Sequence, residues 1–208
     1  YGACIICVDV ANGYLDKVRM FCEKVANYID SFSYDCLLMS GNVVTRDGAE
    51  ALSSSGVNLI RVGIGTGNLC ITRQVTGIGR GQIDALMDCD KISSSRLVAD
   101  GGISVSGDAV KALAAGADLV MIGSLLAKTY ESSNNGKIYG MASKSLQDDF
   151  YHTENYKSIE GIEKEVEKTM TLKSFLTEFV WGIKSGFTYM GVKNIEDLQK
   201  YAIFEEVR

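Results

Sequence analysis

Three groups of residues have the types and spacing to do chemistry. The first is GIGTGNLCITR, Gly63 to Arg73, where alternating glycines after a strand-like run (Val57 to Val62) deliver a single cysteine, Cys70. A thiolate is a soft nucleophile that needs a partly exposed, electropositive or helix-N-terminal setting; the bare glycine backbone and Arg73 are the groups at hand. On spacing alone, an inert cysteine beside glycines stays the commoner outcome. The second group is Asp100-Gly101-Gly102 with Gly123-Ser124. A carboxylate at a strand end accepts hydrogen bonds from a ribose diol, while glycine amides and a serine hydroxyl donate to phosphate. The third is Asp9 with Asn12-Gly13, which reads equally as a turn or helix cap. The lone histidine, His152, has no acid or ligand partner near it in sequence and is assigned no role.

Clusters of Gly, Asp, Asn or Ser, these groups among them, close five apolar runs: Ala3 to Gly13, Cys36 to Thr45, Val57 to Gly67, Arg96 to Gly102 and Asp118 to Ser124. Near-continuous apolarity with β-branched residues predicts parallel strands buried on both faces. Amphipathic stretches between them, Leu15 to Ile29, Ala49 to Ser55, Gln82 to Asp90 and Gly107 to Ala115, have the length of crossover helices. In such an α/β grammar the strand C-terminal ends converge on one face, where a (β/α)8 barrel or a doubly wound sheet builds its site. Five βα units do not close eight strands, so either the sheet is open or the chain is part of a longer barrel. Beyond Ser124, Lys128 to Ile138 reads as polar loop, and Gly140 to Gly161 as a mobile flap or a plain surface excursion. Ile162 to Thr171 reads as charged and extended, with helices over Leu172 to Lys184 and Ile195 to Tyr201.

Composition bounds the rest. The 208 residues are 46% hydrophobic and carry a net charge of −5, so the chain is globular and lacks the basic footprint of a nucleic-acid binder. Six cysteines sit mostly inside apolar runs, without the spacing of a disulfide framework, which points to a reducing cytoplasm. Cys4 and Cys7, three apart in strand-like sequence, point to opposite faces and read as ordinary cysteines, not a redox or zinc pair. No apolar run reaches the length of a membrane span, and the first residues lack signal-peptide flanks.

Taken together, GIGTGNLCITR and the following Thr76-Gly77-Ile78-Gly79 resemble the catalytic loop of the IMP dehydrogenase and GMP reductase family. VADGGIS, VMIGSLLA and GNVVT resemble its other signatures in the same order, and the resemblance runs from Ala3 to about Tyr201. Three features favour the reductase branch. Asp9 to Tyr14 reads DVANGY where dehydrogenases carry Asp-Ser-Ser-Gln-Gly; Thr72-Arg73 and Thr76-Gly77 fit; and the stretch from Met141 to Glu160 is too short for the dehydrogenases' long flap with its Arg-Tyr pair.

The resemblance implies NADPH-dependent reductive deamination of GMP to IMP and ammonia through a thioimidate on Cys70, with Thr72 and Glu160 relaying protons. It implies that Asp100 and Gly101 hold the ribose, Gly102, Gly123 and Ser124 the 5′-phosphate, and Gly140, Met141, Ala142, Lys157, Ser158 and Gly161 the purine. The cofactor would lie along Asp9, Val10, Ala11, Ile64, Gly65, Tyr156, Ser185, Gly186, Phe187 and Thr188. Carbonyls of Gly65, Gly67, Cys70 and Arg73 would suit a potassium ion. Asn68 stands where the family usually has serine, Gly81 where it has proline, and Lys157 where reductases tend to have arginine. The family's barrel begins about three strands earlier, which implies a single catalytic-domain fragment over 1–208. It would hold five βα units of a TIM-type (β/α)8 barrel, the flap and the C-terminal helices, inactive alone and part of a cytoplasmic homotetramer when complete. The alternatives are oxidation of IMP to XMP with NAD, a purine-nucleotide-binding module without turnover, and a plain structural α/β domain.

Overall fold

The computed structural model describes residues 2–90, 94–133, 135–146 and 158–206. Each apolar run forms a strand: β1 (Ile5–Asp9), β2 (Leu37–Val43), β3 (Leu59–Val62), β4 (Arg96–Asp100) and β5 (Leu119–Met121). All four neighbouring pairs are parallel and the spatial order is the chain order. A doubly wound sheet reverses direction at a switch point; this one does not. It is five strands of a TIM-type barrel wall, with α1 (Asp16–Ser31), α2 (Arg46–Ser54), α3 (Thr72–Thr76), α4 (Gln82–Cys89) and α5 (Ser106–Ala114) as crossovers. An antiparallel hairpin of β6 (Lys137–Tyr139) and β7 (Glu163–Glu165) follows, then α6 (Leu172–Met190) and α7 (Ile195–Tyr201).

The strands' period of two sorts their side chains. Leu38, Ile60, Val62, Leu97 and Ala99 face the helices and pack with Val18, Cys22, Leu52, Leu86 and Ala109. Each such fully buried aliphatic side chain contributes about 1.5–3 kcal/mol of transfer free energy. Met39, Leu59 and Val98 form a second, smaller cluster with Met121 on the opposite face. Two residues further along that face, at the strand C-terminal ends, stand Arg61 and Asp100. The alternation that buries the core thus delivers the polar groups to one rim.

Several details depart from the sequence expectations. β1 is exposed along most of its length, because among the described residues it is paired on one side only. α2 begins three residues early, since Thr45 caps it by accepting from the Gly48 amide at 3.3 Å. α6 runs past Lys184 to Met190 and ends at Gly191, whose φ of 69° suits glycine. The hairpin was legible only as an extended reading of its second limb, because Lys137, Glu163 and Glu165 give no apolar period.

Candidate active site

The loop after β3 presents Cys70 half-buried, two residues before the start of α3. Its thiol donates to Thr72 Oγ1 at 3.0 Å, and the Thr72 hydroxyl donates to Glu160 Oε2, also at 3.0 Å. Residues eighty-eight positions apart are therefore joined in one chain of proton donors and acceptors. Backbone bonds hold them there: the Ile71 amide donates to Glu160 O at 2.8 Å and the Ile162 amide to Leu69 O at 2.9 Å, either side of a Cys70–Gly161 bridge.

Arg73 does not serve the thiol. Its side chain runs against Gly65 and Gly79, and its guanidinium donates to the Arg80 carbonyl. The cation expected beside Cys70 is thus turned away from it, a correction whose cause is the empty space that the two glycines leave.

Asp100 is oriented from below. Its Oδ2 accepts from Asn42 Nδ2 at 2.7 Å and from Arg61 Nη2 and Nε at 2.7 and 3.1 Å. With one oxygen saturated, the other remains for a ligand. Arg61 also pairs with Asp9 Oδ1 at 2.6 Å, so one guanidinium bridges the ends of β1 and β4. Burial pulls the Arg61 pKa down, but Asp100 and Asp9 outweigh it and hold the guanidinium above its ordinary value. Asn42 reaches the site because the β2–β3 register slips between Gly41 and Val43. Neither Asn42 nor Arg61 was singled out from sequence; a charged residue at an inward position of a buried strand was the available signal.

At the other end, Asn68 Nδ2 donates to Ser104 Oγ at 2.9 Å and Ser124 Oγ at 3.4 Å, tying together the loops after β3, β4 and β5. Gly101 lets these loops close up: a Cβ there would lie 2.6 Å from Thr66 Oγ1, which donates to the Asp100 carbonyl at 2.9 Å.

A cleft of about 940 Å³ collects these groups. It is lined by Asp9, Val10, Ala11, Ile64, Gly65, Gly67, Cys70, Thr72, Asp100, Gly101, Gly102, Gly123, Ser124, Gly140, Met141, Ala142, Ser158, Glu160 and Gly161. Its size lies at the upper end for small-molecule pockets. Ser185, Gly186, Phe187 and Thr188 are not brought to it. They lie on α6, which packs on α5 closely enough that a Cβ on Gly186 would lie 2.8 Å from Val110 Cγ2. Tyr156 and Lys157 lie outside the described residues.

For a monovalent cation, the Gly65, Gly67, Cys70 and Arg73 carbonyls are neutral oxygen donors. Those of Gly67 and Arg73 each accept one backbone amide, which leaves each a second lone pair. Such a set fits a weakly charged, oxygen-loving ion, and among the described residues no His, Cys, Asp or Glu cluster offers a transition-metal site.

With this geometry in place, the comparisons are decisive for the family. Residues 1–208 match the IMP dehydrogenase / GMP reductase domain. The chain belongs to that family. An inosine-5′-monophosphate dehydrogenase of Nitrosopumilus maritimus is 38% identical over 98% of the chain and 46% of its own length. A GMP reductase of Photobacterium profundum is 34% identical over 98% of the chain and 61% of its own length. The solved GMP reductase of Trypanosoma brucei in complex with guanosine 5′-monophosphate superposes with a TM-score of 0.86 at 31% identity, covering 96% of this chain and 44% of that one. The chain thus spans about half the length of relatives such as the dehydrogenase, and both family activities are named among its relatives. No helix among the described residues is long and apolar enough to cross a membrane.

Proposed function

We propose that the protein containing this chain is a GMP reductase, converting GMP to IMP and ammonia at the expense of NADPH. The observation that carries the reading is the Cys70–Thr72–Glu160 chain, with both of its hydrogen bonds at 3.0 Å. Cys70 adds to purine C2 and the 2-amino group departs as ammonia, taking the proton that the thiol gives up. Thr72 and Glu160 move that proton, since an amine leaves far more readily once protonated. The product on Cys70 is a thioimidate. When bound, reduced nicotinamide supplies the hydride that C2 accepts; the C–S bond then breaks and the thiolate is released to be reprotonated through Thr72.

Asp100, with its Oδ2 saturated by Asn42 and Arg61, holds the ribose diol through Oδ1. The Asn68, Ser104 and Ser124 side chains and the Gly102 and Gly123 amides hold the 5′-phosphate by neutral hydrogen bonds. Asp9 to Ala11, at the far side of the cleft, border the cofactor. Gly65, Gly67, Cys70 and Arg73 supply carbonyls to a monovalent cation that fixes the loop. Ser185 to Thr188, remote from this chain's own cleft and partly exposed on α6, serve the cofactor site of a neighbouring copy in a homotetramer. The 208 residues act as one part of a single catalytic domain in the cytoplasm.

A second reading has a specific observation behind it: the dehydrogenase of Nitrosopumilus maritimus is 38% identical to the chain, against 34% for the reductase of Photobacterium profundum. In that reading water, not hydride, resolves the thioimidate. The natural protein decides between them by absorbance at the nicotinamide band. NADPH oxidation that requires GMP, and is lost in Cys70→Ala, is the expected result; NAD reduction that requires IMP, with no GMP-dependent NADPH oxidation, overturns it.

A further inference from the structure

Two glycines cross beneath the proton relay. A Cβ on Gly161 would lie 2.9 Å from Gly140 Cα and 3.1 Å from Ser143 N. One on Gly140 would lie 2.9 Å from Gly161 Cα and 3.1 Å from Leu69 O. Neither glycine has a positive φ, so the requirement is for space and not for an unusual backbone. Three backbone segments stack through this point. Leu69 to Ile71 bond to Glu160 and Ile162, while the Gly140 amide donates to Ile162 O at 3.1 Å. The Glu160 and Gly161 amides both donate to Ala142 O, at 3.1 and 3.2 Å. Glu160 is therefore pinned on both sides of its backbone, with its carboxylate on Thr72.

We infer that the Gly140–Gly161 crossing positions the relay: the contact of two bare Cα atoms sets how close Glu160 comes to Thr72. The inference rests on the relay's role in the proposed reaction. Carbon atoms settle about 3.5–4.0 Å apart, so a methyl at either glycine drives the segments apart by roughly 0.6–1 Å. The Thr72–Glu160 bond, at 3.0 Å, joins side chains across this crossing. Its lengthening beyond about 3.5 Å ends it as a hydrogen bond. Gly161 and Gly140 line the cleft, yet this effect reaches the chemistry through Glu160, which makes them positioning residues as well.

The test compares Gly161→Ala, Glu160→Gln and the pair in the natural protein. Gly161→Ala is expected to lower kcat about 10²-fold, the scale of a misplaced catalytic group, with KM for GMP and the unfolding midpoint near wild type. Added to Glu160→Gln it costs nothing further, because the relay is already broken. Gly140→Ala presses on the same crossing from the other segment, gives the same pattern, and stands in should Gly161→Ala not fold. Gly107→Ala, on α5 with open space at its Cβ position, leaves kcat unchanged. Unchanged kcat in Gly161→Ala, or a loss that multiplies with that of Glu160→Gln, overturns the inference. Should the natural protein turn over neither GMP with NADPH nor IMP with NAD, the proposed reaction fails, and the crossing is read from the crystal structure of Gly161→Ala. A Thr72 Oγ1–Glu160 Oε2 separation beyond about 3.5 Å is then expected; retention of the 3.0 Å bond overturns the positioning role.

Discussion

Arg61 shows how one side chain can hold a site together. It is largely buried; its Nη1 touches Asp9 at 2.6 Å and lies 3.7 Å from Cys7 Sγ, while its Nη2 touches Asp100 at 2.7 Å. A lysine, with a single charged nitrogen, cannot reach both carboxylates in the planar geometry that a guanidinium offers. Removing the guanidinium leaves Asp100 charged and mostly buried with only Asn42 as donor, the situation in which a broken pair costs most. Arg61→Ala is expected to destabilise the protein by about 3 kcal/mol, read from urea unfolding. Adding Asp100→Asn recovers part of the loss, because it removes the uncompensated charge. A double variant as unstable as the single one would show that the loss is packing around the arginine stem and not electrostatics. The same scale explains the thiols: burial pushes Cys89 up to about 12 and Cys22 above its ordinary value. Both stay neutral at physiological pH, while Cys70 is the thiol in contact with the relay.

At the scale of elements, α5 carries a cap that matters to the phosphate end of the cleft. Asp108 Oδ2 accepts from the Ser104 and Val105 amides at 3.0 and 3.2 Å, and Oδ1 pairs with Lys111 at 2.9 Å. Burial raises the Asp108 pKa, but the bonds from Lys111, Ser104 and Val105 outweigh it and leave the carboxyl below its usual range. A depressed carboxyl stabilises the fold above its unfolded pKa, and that contribution is lost as pH falls through the folded value. The gap between wild type and Asp108→Ala, about 1 kcal/mol for a cap of this kind, is therefore expected to be full at neutral pH and to shrink below about pH 4. Urea midpoints at a series of pH values measure it; a gap that grows on acidification contradicts the assignment. Which elements were legible follows from the same physics. β1 to β5 and the helices α1, α2, α4 and α5 announce themselves in local apolar patterns, whereas the five-residue α3 buries no side chain and gives no such pattern. α7 matches its expected bounds and is capped by Asn194, which accepts from Asp197 N at 2.7 Å. The β6–β7 hairpin depends on pairing between distant charged segments, and Glu160 meets Thr72 only through that closure. Sequence motifs named both residues, but no local pattern encodes the 3.0 Å between them. Asn42 and Arg61 went unnamed because a bulge and a strand register, not a motif, aim them at Asp100.

Across the whole molecule, the sheet presents apolar surface that its own helices do not cover. On β1, Ile5 is 47% and Ile6 42% exposed, and Leu37 on β2 and Leu119 on β5 are similarly open. Met39, Leu59 and Val98 form a thin second cluster beneath. Along the same flank Tyr28, Phe32 and Tyr34 are exposed and packed on each other, with centroids 4.7 Å apart for Tyr28–Phe32 and 5.8 Å for Phe32–Tyr34. Contiguous apolar patches beyond a few hundred Å² are uncommon on monomers, and an unpaired strand edge adds a row of free backbone donors and acceptors. The 208-residue polypeptide, expressed by itself, is expected to self-associate in a concentration-dependent way in sedimentation velocity. Reductant leaves the association intact, because the described cysteines are free and the driving surface is apolar. Ile6→Lys acts on the strand edge, where an inserted charge opposes pairing, and Phe32→Ser acts on the aromatic flank. Relief by the first variant alone identifies edge pairing as the cause, and relief by the second alone identifies the flank. A polypeptide that stays monomeric at high concentration without either substitution would show that the strand edge and aromatic flank are satisfied within the chain itself.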